Sequence, residues 1–193
     1  MQLVLATHNA HKVDELRLIL GPLLDGIDLV GYDGPEPVED GETFEANALI
    51  KARAAAAHTG LPAIADDSGI SVDALGGAPG IHSARYAGTR VDADNVALLL
   101  VNLEGVHDRA AQFMCAAAFV LPAGFEHTEL GVWPGTVLEQ PVGANGFGYD
   151  PVFKPAGYSV SSAELTPDEK NAVSHRQRAF TAIMPVVRKQ LLG

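Results

Sequence analysis

Pro62-Ala63-Ile64-Ala65-Asp66-Asp67-Ser68-Gly69 runs from apolar residues directly into two adjacent acids. A short apolar run behind a proline reads as a buried strand, which sets both carboxylates at its carboxyl end, where open α/β sheets hold their ligands. Neighbouring side chains on a strand point to opposite faces, so Asp66 and Asp67 should have different jobs, one holding a cation while the other packs or orients. The plain alternative is a strand that ends in an Asp-Ser-Gly turn.

On the amino-terminal side of this junction lies an Ala-rich helix over residues 44–58, capped by Thr43, stopped at Gly60 and carrying Asn47, Lys51 and Arg53. Before it, a loop over residues 31–41 gathers turn residues and acids, Glu39 among them, and reads as mobile. The chain opens with a buried strand at 3–6, the segment Thr7-His8-Asn9-Ala10-His11-Lys12, a helix with Val13, Leu16 and Leu20 on one face, and a second strand at 27–30. On the carboxyl side, Gly76-Gly77-Ala78-Pro79-Gly80 forbids regular structure. Asp92 should cap a helix striped by Val96, Leu99, Leu100 and Leu103, and segments 110–121 and 126–138 should pair as a hairpin. Gly143-Ala144-Asn145-Gly146-Phe147-Gly148-Tyr149-Asp150-Pro151 is a second glycine-dense loop. Thr166-Pro167-Asp168-Glu169 has the capping-box pattern that starts a last helix, which Pro185 should kink or interrupt. Helices alternate with strands and a hairpin follows, so the chain reads as one α/β domain, 1–193, with a mixed sheet and flanking helices.

The 193 residues are 47% hydrophobic with a formal net charge of −11, which suits a packed globular chain and argues against nucleic acid or an anionic membrane as partner. The single cysteine, Cys115, sits in an apolar run and reads as core, so neither a disulfide framework nor a thiolate zinc site is available within one chain. The opening residues are too short for a signal-peptide core and no apolar stretch reaches membrane-spanning length, so a soluble, cytoplasmic protein is expected.

The phosphate-binding G-x-x-x-x-G-K-[ST], the dinucleotide G-x-G-x-x-G, H-E-x-x-H and G-x-S-x-G are all absent from the sequence, and the seven histidines show no metal spacing. His8 and His11 read as structural or solvated. What remains is a dispersed kit for phosphates. The strand-loop-helix at 3–13 offers outward N–H groups together with Lys12, a second cation is Lys51, and a third set is Lys170, His175 and Arg176. The acids at Glu39 and Asp66-Asp67 suit Mg²⁺, a hard ion that bridges polyphosphate oxygens. Phe147 and Tyr149 either stack on a flat base or plug a core edge. Ser174-His175-Arg176 supplies hydroxyl, imidazole and guanidinium donors suited to carbonyl and phosphate oxygens.

With these pieces in place the chain closely resembles the inosine triphosphate pyrophosphatase family over nearly its whole length. The resemblance rests on the segment Ala6 to Lys12, on Thr43-Phe44 through Asn47 to Lys51-Ala52-Arg53, and on Asp66-Asp67-Ser68-Gly69. It continues through Val72-Asp73-Ala74-Leu75-Gly76-Gly77-Ala78-Pro79-Gly80-Ile81, Ser83-Ala84-Arg85-Tyr86, Gly146 to Pro151 and Ser174-His175-Arg176.

The resemblance implies an elongated mixed β-sheet flanked by helices, two lobes around a substrate cleft, and a homodimer. It implies Mg²⁺-dependent hydrolysis of ITP, dITP and XTP to the monophosphate and pyrophosphate, cleansing the nucleotide pool. Asp67 would be the catalytic acid/base and a metal contact, with Glu39 the second acidic contact. Thr7, Asn9, Lys12, Lys51 and Ser68 would grip the triphosphate, with His8, Ala10 and His11 lying in the same phosphate-binding segment. Phe147, Gly148, Tyr149, Asp150, Lys170, His175 and Arg176 would hold the base and select its 6-oxo group. Family members often carry glycine where His8 and His11 stand, so this first loop must manage without glycine's backbone freedom. Two other readings are a pyrophosphatase for pyrimidine or modified nucleotides and a nucleotide-binding regulator without turnover. A panel of triphosphates with product identification separates them.

Overall fold

The computed structural model describes residues 1–8 and 10–193, for 10–12 the backbone alone. Its elements are β1 (Gln2–Leu5), α1 (Ala10–Leu20), β2 (Asp28–Gly31), α2 (Phe44–Thr59), β3 (Ala63–Val72), α3 (Asp92–Asn102), β4 (Ala110–Val120), β5 (Glu126–Val137), β6 (Phe153–Pro155), α4 (Pro167–Asn171) and α5 (His175–Leu192). The six strands form one mixed sheet in the order β2-β1-β3-β4-β5-β6. β1 is parallel to both β2 and β3, whereas β6 is antiparallel to β5. The mixed α/β architecture read from the sequence is therefore the observed one.

The chain divides into two compact units, the first comprising Met1–Asp67, Cys115–Gly131 and Arg176–Gly193, the second Ser68–Met114 and Val132–His175. Each has a hydrophobic core of its own. In the first, Leu3, Leu5 and Ile64 of the sheet pack with Leu16 and Leu20 of α1, Phe119 of β4, and Phe180, Ile183 and Met184 of α5, all essentially without solvent exposure. Cys115 is buried in this core, as its apolar surroundings imply. In the second, Ile70, Val72, Leu99, Leu103, Trp133 and Phe153 form the centre. No helix among the described residues is long and apolar enough to cross a membrane.

α2 forms as its sequence dictates. Thr43 accepts a hydrogen bond from Ala46 N at 3.1 Å, and Gly60 closes the helix in the left-handed region with its N–H donated to Ala56 O at 2.9 Å. Ala48, Ala52, Ala55 and Ala56 are buried, and their small side chains let the helix lie close to its neighbours.

Three expectations are corrected. The acids do not end a strand, and no Asp-Ser-Gly turn follows them. β3 runs ten residues through them to Val72, because the apolar pattern resumes at Ile70 and Val72, and Ile70 N finds an acceptor in Ser83 Oγ at 2.9 Å. Gly69 lies where a Cβ would stand 2.4 Å from Ser83 Oγ, so the pattern at this point reflects crowding rather than a turn. Asp92 is the first residue inside α3 and not its cap, which is Val91; its carboxylate accepts from Gly148 N at 2.7 Å instead. The last helix is two: the capping box at Thr166 and Glu169 starts the short α4, and α5 begins afresh at His175 and runs on through Pro185. β6 carries no sequence signal of its own, since three residues are too few for a period to show.

Candidate active site

In the first unit α2 and β3 bring three of the expected residues together. Lys51 projects its ammonium between two acids, 3.0 Å from Glu39 Oε2 and 3.3 Å from Asp67 Oδ1. One helical turn earlier on the same face, Asn47 is buried and accepts a hydrogen bond from Gly41 N at 2.9 Å, which anchors the end of the acidic loop. A Cβ at Gly41 would stand 2.7 Å from Asn47 Oδ1, so this close approach requires glycine. The loop expected to be mobile is thus tied by side chains along its length.

Asp66 and Asp67 do separate as strand geometry requires. Asp66 is buried and takes Nε and Nη2 of Arg176 on its Oδ2 at 3.3 and 3.2 Å, while Arg176 Nη1 reaches both oxygens of Glu15 at 3.4 Å. Asp67 turns to Lys51. One aspartate is therefore held in a buried ion pair and the other belongs to the cluster with Lys51 and Glu39.

The electrostatics of this cluster follow from an excess of carboxylates over cations. Burial pushes the Asp67 carboxyl above the ordinary aspartate range; Lys51 pulls it back, Glu39 pushes it up again, and the polar ends of Asn47 and Lys51 beside it recover only part of the difference. Burial opposes the Lys51 ammonium in turn, but Asp67, Asp66 and Glu39 outweigh that and hold its pKa above the usual lysine value. The two directions agree: with several acids sharing one ammonium, the cation is stabilised, and Asp67, more buried than Glu39 beside the same ammonium, is not. Burial also opposes the charge of Arg176, and Asp66 foremost among its neighbours more than restores it.

Asp67 Oδ2 is buried with no hydrogen-bond partner. An orphaned carboxylate oxygen is costly unless something completes it, and a surplus of hard oxygen donors suits a small divalent cation. Among the described residues no group of three or more His, Cys, Asp or Glu side chains converges as a metal site. Glu39 and Asp67 thus fit Mg²⁺ in its usual mode, one or two carboxylates with the other positions left to water and phosphate oxygens, rather than a dedicated protein cage. Thr7, Glu39, Lys51 and Asp66 line an open cleft of about 150 Å³ within this unit. His8 lines it too, in a conformation that does not call on positive φ. Asn9 and the side chains of Ala10, His11 and Lys12 lie outside the described residues.

The second unit gathers another set. Asp150 is buried, its carboxylate accepting from Ser162 Oγ at 2.7 Å, from Phe147 N at 2.8 Å and from Lys170 Nζ. This fixes the glycine-dense loop: Gly146 has φ +75°, and a Cβ there would collide with the Asp150 carboxylate. The two aromatics of the loop divide. Phe147 is 58% exposed with the Lys170 ammonium 4.8 Å from its ring centroid, whereas Tyr149 is core and donates its hydroxyl to Ser83 O at 2.8 Å. Burial, then Tyr86 and Asp92, raise the Tyr149 pKa and keep it a donor. Gly148 offers its N–H to Asp92. The His175 ring is buried and stacks on Phe113, with centroids 4.8 Å apart and planes 12° apart, and on Trp133 at 6.4 Å. Ser68 opens this unit, half-buried on β3 directly after Asp67.

Three participants have little or no local signal in the sequence. Asn47 is marked only by its spacing of four from Lys51, which puts both on one helix face. Glu15 is simply an acid on an amphipathic helix. Asp92 has the signature of a cap, because an aspartate before a helix most often is one.

Residues 3–186 match the Ham1 family. The chain is 57% identical over 191 residues to a dITP/XTP pyrophosphatase of Leifsonia xyli subsp. xyli, an alignment covering 97% of this chain and 96% of that protein. It is 52% identical over 199 residues to one of Streptomyces coelicolor, covering 100% and 99%. Among solved structures, a HAM1 protein from Coxiella burnetii superposes with a TM-score of 0.90 at 41% identity, covering 98% of this chain and 99% of that one. These likenesses bear out the resemblance to the inosine triphosphate pyrophosphatases, and with the family matched from near one end to the other, the chain belongs to the Ham1 family.

Proposed function

We propose that this chain acts as one pyrophosphatase domain, 1–193, and hydrolyses non-standard purine nucleoside triphosphates, ITP, dITP and XTP, to the monophosphate and pyrophosphate. Its relatives' shared name supports the substrate class. The observation that carries the reading is the cluster of Lys51, Glu39 and Asp67 with the orphaned Asp67 Oδ2. A lysine flanked by carboxylates, with one acid oxygen spare, is what hydrolysis at a metal-bound polyphosphate requires.

Asp67 and Glu39 would hold Mg²⁺, which when bound neutralises phosphate charge and the leaving pyrophosphate. Asp67, its carboxyl raised by burial, accepts a proton from the attacking water. The water oxygen bonds to the α-phosphorus as the bond from that phosphorus to the β-phosphate oxygen breaks, and pyrophosphate leaves. Lys51 holds Asp67 in position and meets charge on the phosphates, aided by Thr7, Asn9, Lys12 and Ser68 in the roles the resemblance implies. Phe147, whose ring is exposed, stacks on the base, and Lys170, His175 and Arg176 set its selection. A homodimer in the cytoplasm completes the reading. Incubating purified protein and Mg²⁺ with ITP, dITP, XTP, ATP and GTP tests it. Monophosphate and pyrophosphate from the first three support the reading; nucleoside diphosphate and orthophosphate, or no product, overturn it.

A further inference from the structure

The acidic loop between β2 and α2 is fastened at three places. Its end is held by Asn47 on Gly41 N, its middle by Lys51 on Glu39, and its beginning by His8, which stands just past β1. His8 Nε2 lies 2.6 Å from Gly34 O and Nδ1 lies 3.0 Å from Glu36 Oε1. Both partners are acceptors, so either neutral tautomer makes one of the two bonds and the imidazolium makes both. The ring also packs against Tyr32 at 5.5 Å between centroids, and Tyr32 meets His58 of α2 edge-on at 5.8 Å. Tyr32 donates its hydroxyl to Pro35 O at 3.1 Å, and a Cβ at Gly34 would stand 2.4 Å from that hydroxyl. The loop therefore packs on Tyr32 at Gly34 and Pro35, and His8 clasps it three residues before Glu39.

We propose that His8 is a positioning residue for the reaction: its side chain latches the loop through Gly34 O and Glu36 and so presents Glu39 to Lys51 and Asp67. This rests on the pyrophosphatase reading for its catalytic consequence, while the latch itself does not. It also gives the His8 side chain work in this chain that a glycine at that position could not do, since glycine offers no donor to either acceptor.

The test is hydrogen exchange of the amides of residues 33–41 in the full chain, measured for the parent, His8→Ala, Glu36→Gln and the double variant, beside turnover of dITP with Mg²⁺. Losing the His8 contacts should speed loop exchange about tenfold in His8→Ala and lower kcat/KM by a similar factor. His8→Gln, which keeps one donor, should fall between. Glu36→Gln should have a smaller effect, and the double variant should be no worse than His8→Ala alone. Glu36 is 76% exposed and His8 37%, and neither belongs to a hydrophobic core, so the variants should keep the fold, which circular dichroism and an unchanged urea midpoint verify. Unchanged loop exchange in His8→Ala overturns the latch. Faster exchange with undiminished turnover overturns the positioning role. If the parent releases no pyrophosphate from any triphosphate, the functional reading fails and the exchange result still decides the latch.

Discussion

Lys51 Nζ and Asp67 Oδ1 stand 3.3 Å apart, on a helix and a strand that the sequence separates by 16 positions. The pair joins the one strongly placed cation of the first unit's cluster to the acid proposed as base. Removing Lys51 takes away the largest influence that lowers the Asp67 pKa. In Lys51→Met the acid limb of the kcat/KM profile on dITP should therefore move to higher pH, because Asp67 must be ionised to accept a proton. A limb that stays in place or moves to lower pH would separate Lys51 from the titration of Asp67.

Asp67 should act against stability while serving catalysis. A carboxyl whose folded pKa lies above its unfolded value binds its proton more tightly when folded. Its contribution is full below the unfolded pKa and is lost as pH rises through the folded one. At pH 7 Asp67→Asn should thus resist urea at least as well as the parent, and any advantage should vanish below the ordinary aspartate range. Urea midpoints at pH 7 and pH 3.5 measure this; a clear loss of stability at pH 7 would contradict the raised pKa.

Arg176 is the opposite case, a buried cation held by two acids. Arg176→Met removes two donors and the nearest cation from buried Asp66 and should cost about 3–5 kcal/mol in unfolding free energy. Arg176→Lys should recover only part, since one ammonium cannot serve Asp66 and Glu15 in the guanidinium's fork geometry. Equal stability of the lysine variant and the parent would show that charge alone matters there.

Phe147 should be dispensable for folding. Its ring is largely exposed, so Phe147→Ala should change stability by no more than about 1 kcal/mol, the scale of an exposed cation–π contact with Lys170. If the ring stacks on the base, KM for dITP should rise about tenfold or more with the fold intact. An unchanged KM removes Phe147 from base binding.

Elements whose signals are local were legible from sequence. α2 has its cap at Thr43 and its stop at Gly60, and the neighbouring strands β4 and β5 flank the short turn signal Pro122-Ala123-Gly124. The acidic junction was legible as a place and wrong in geometry. Asp-Ser-Gly resembles a turn, and only the crowding by Ser83, brought back against the strand, shows why glycine stands there in a continuing strand. The same limit explains the site. That Asp66 and Asp67 differ follows from strand alternation, but which one pairs with Arg176, 110 residues away, depends on which helices cover each face. Asn47 and Glu15 act through the partners they reach, and no local pattern names those partners.

The central claim is that Asp67 drives water onto the α-phosphorus of a purine triphosphate. Products and rates from dITP with Mg²⁺, for the parent and Asp67→Asn side by side, test it most directly. The account predicts dIMP and pyrophosphate in equal amounts from the parent and a rate lower by about 10²-fold or more in the variant. Deoxyinosine diphosphate with orthophosphate as the products, or a variant as fast as the parent, would contradict it.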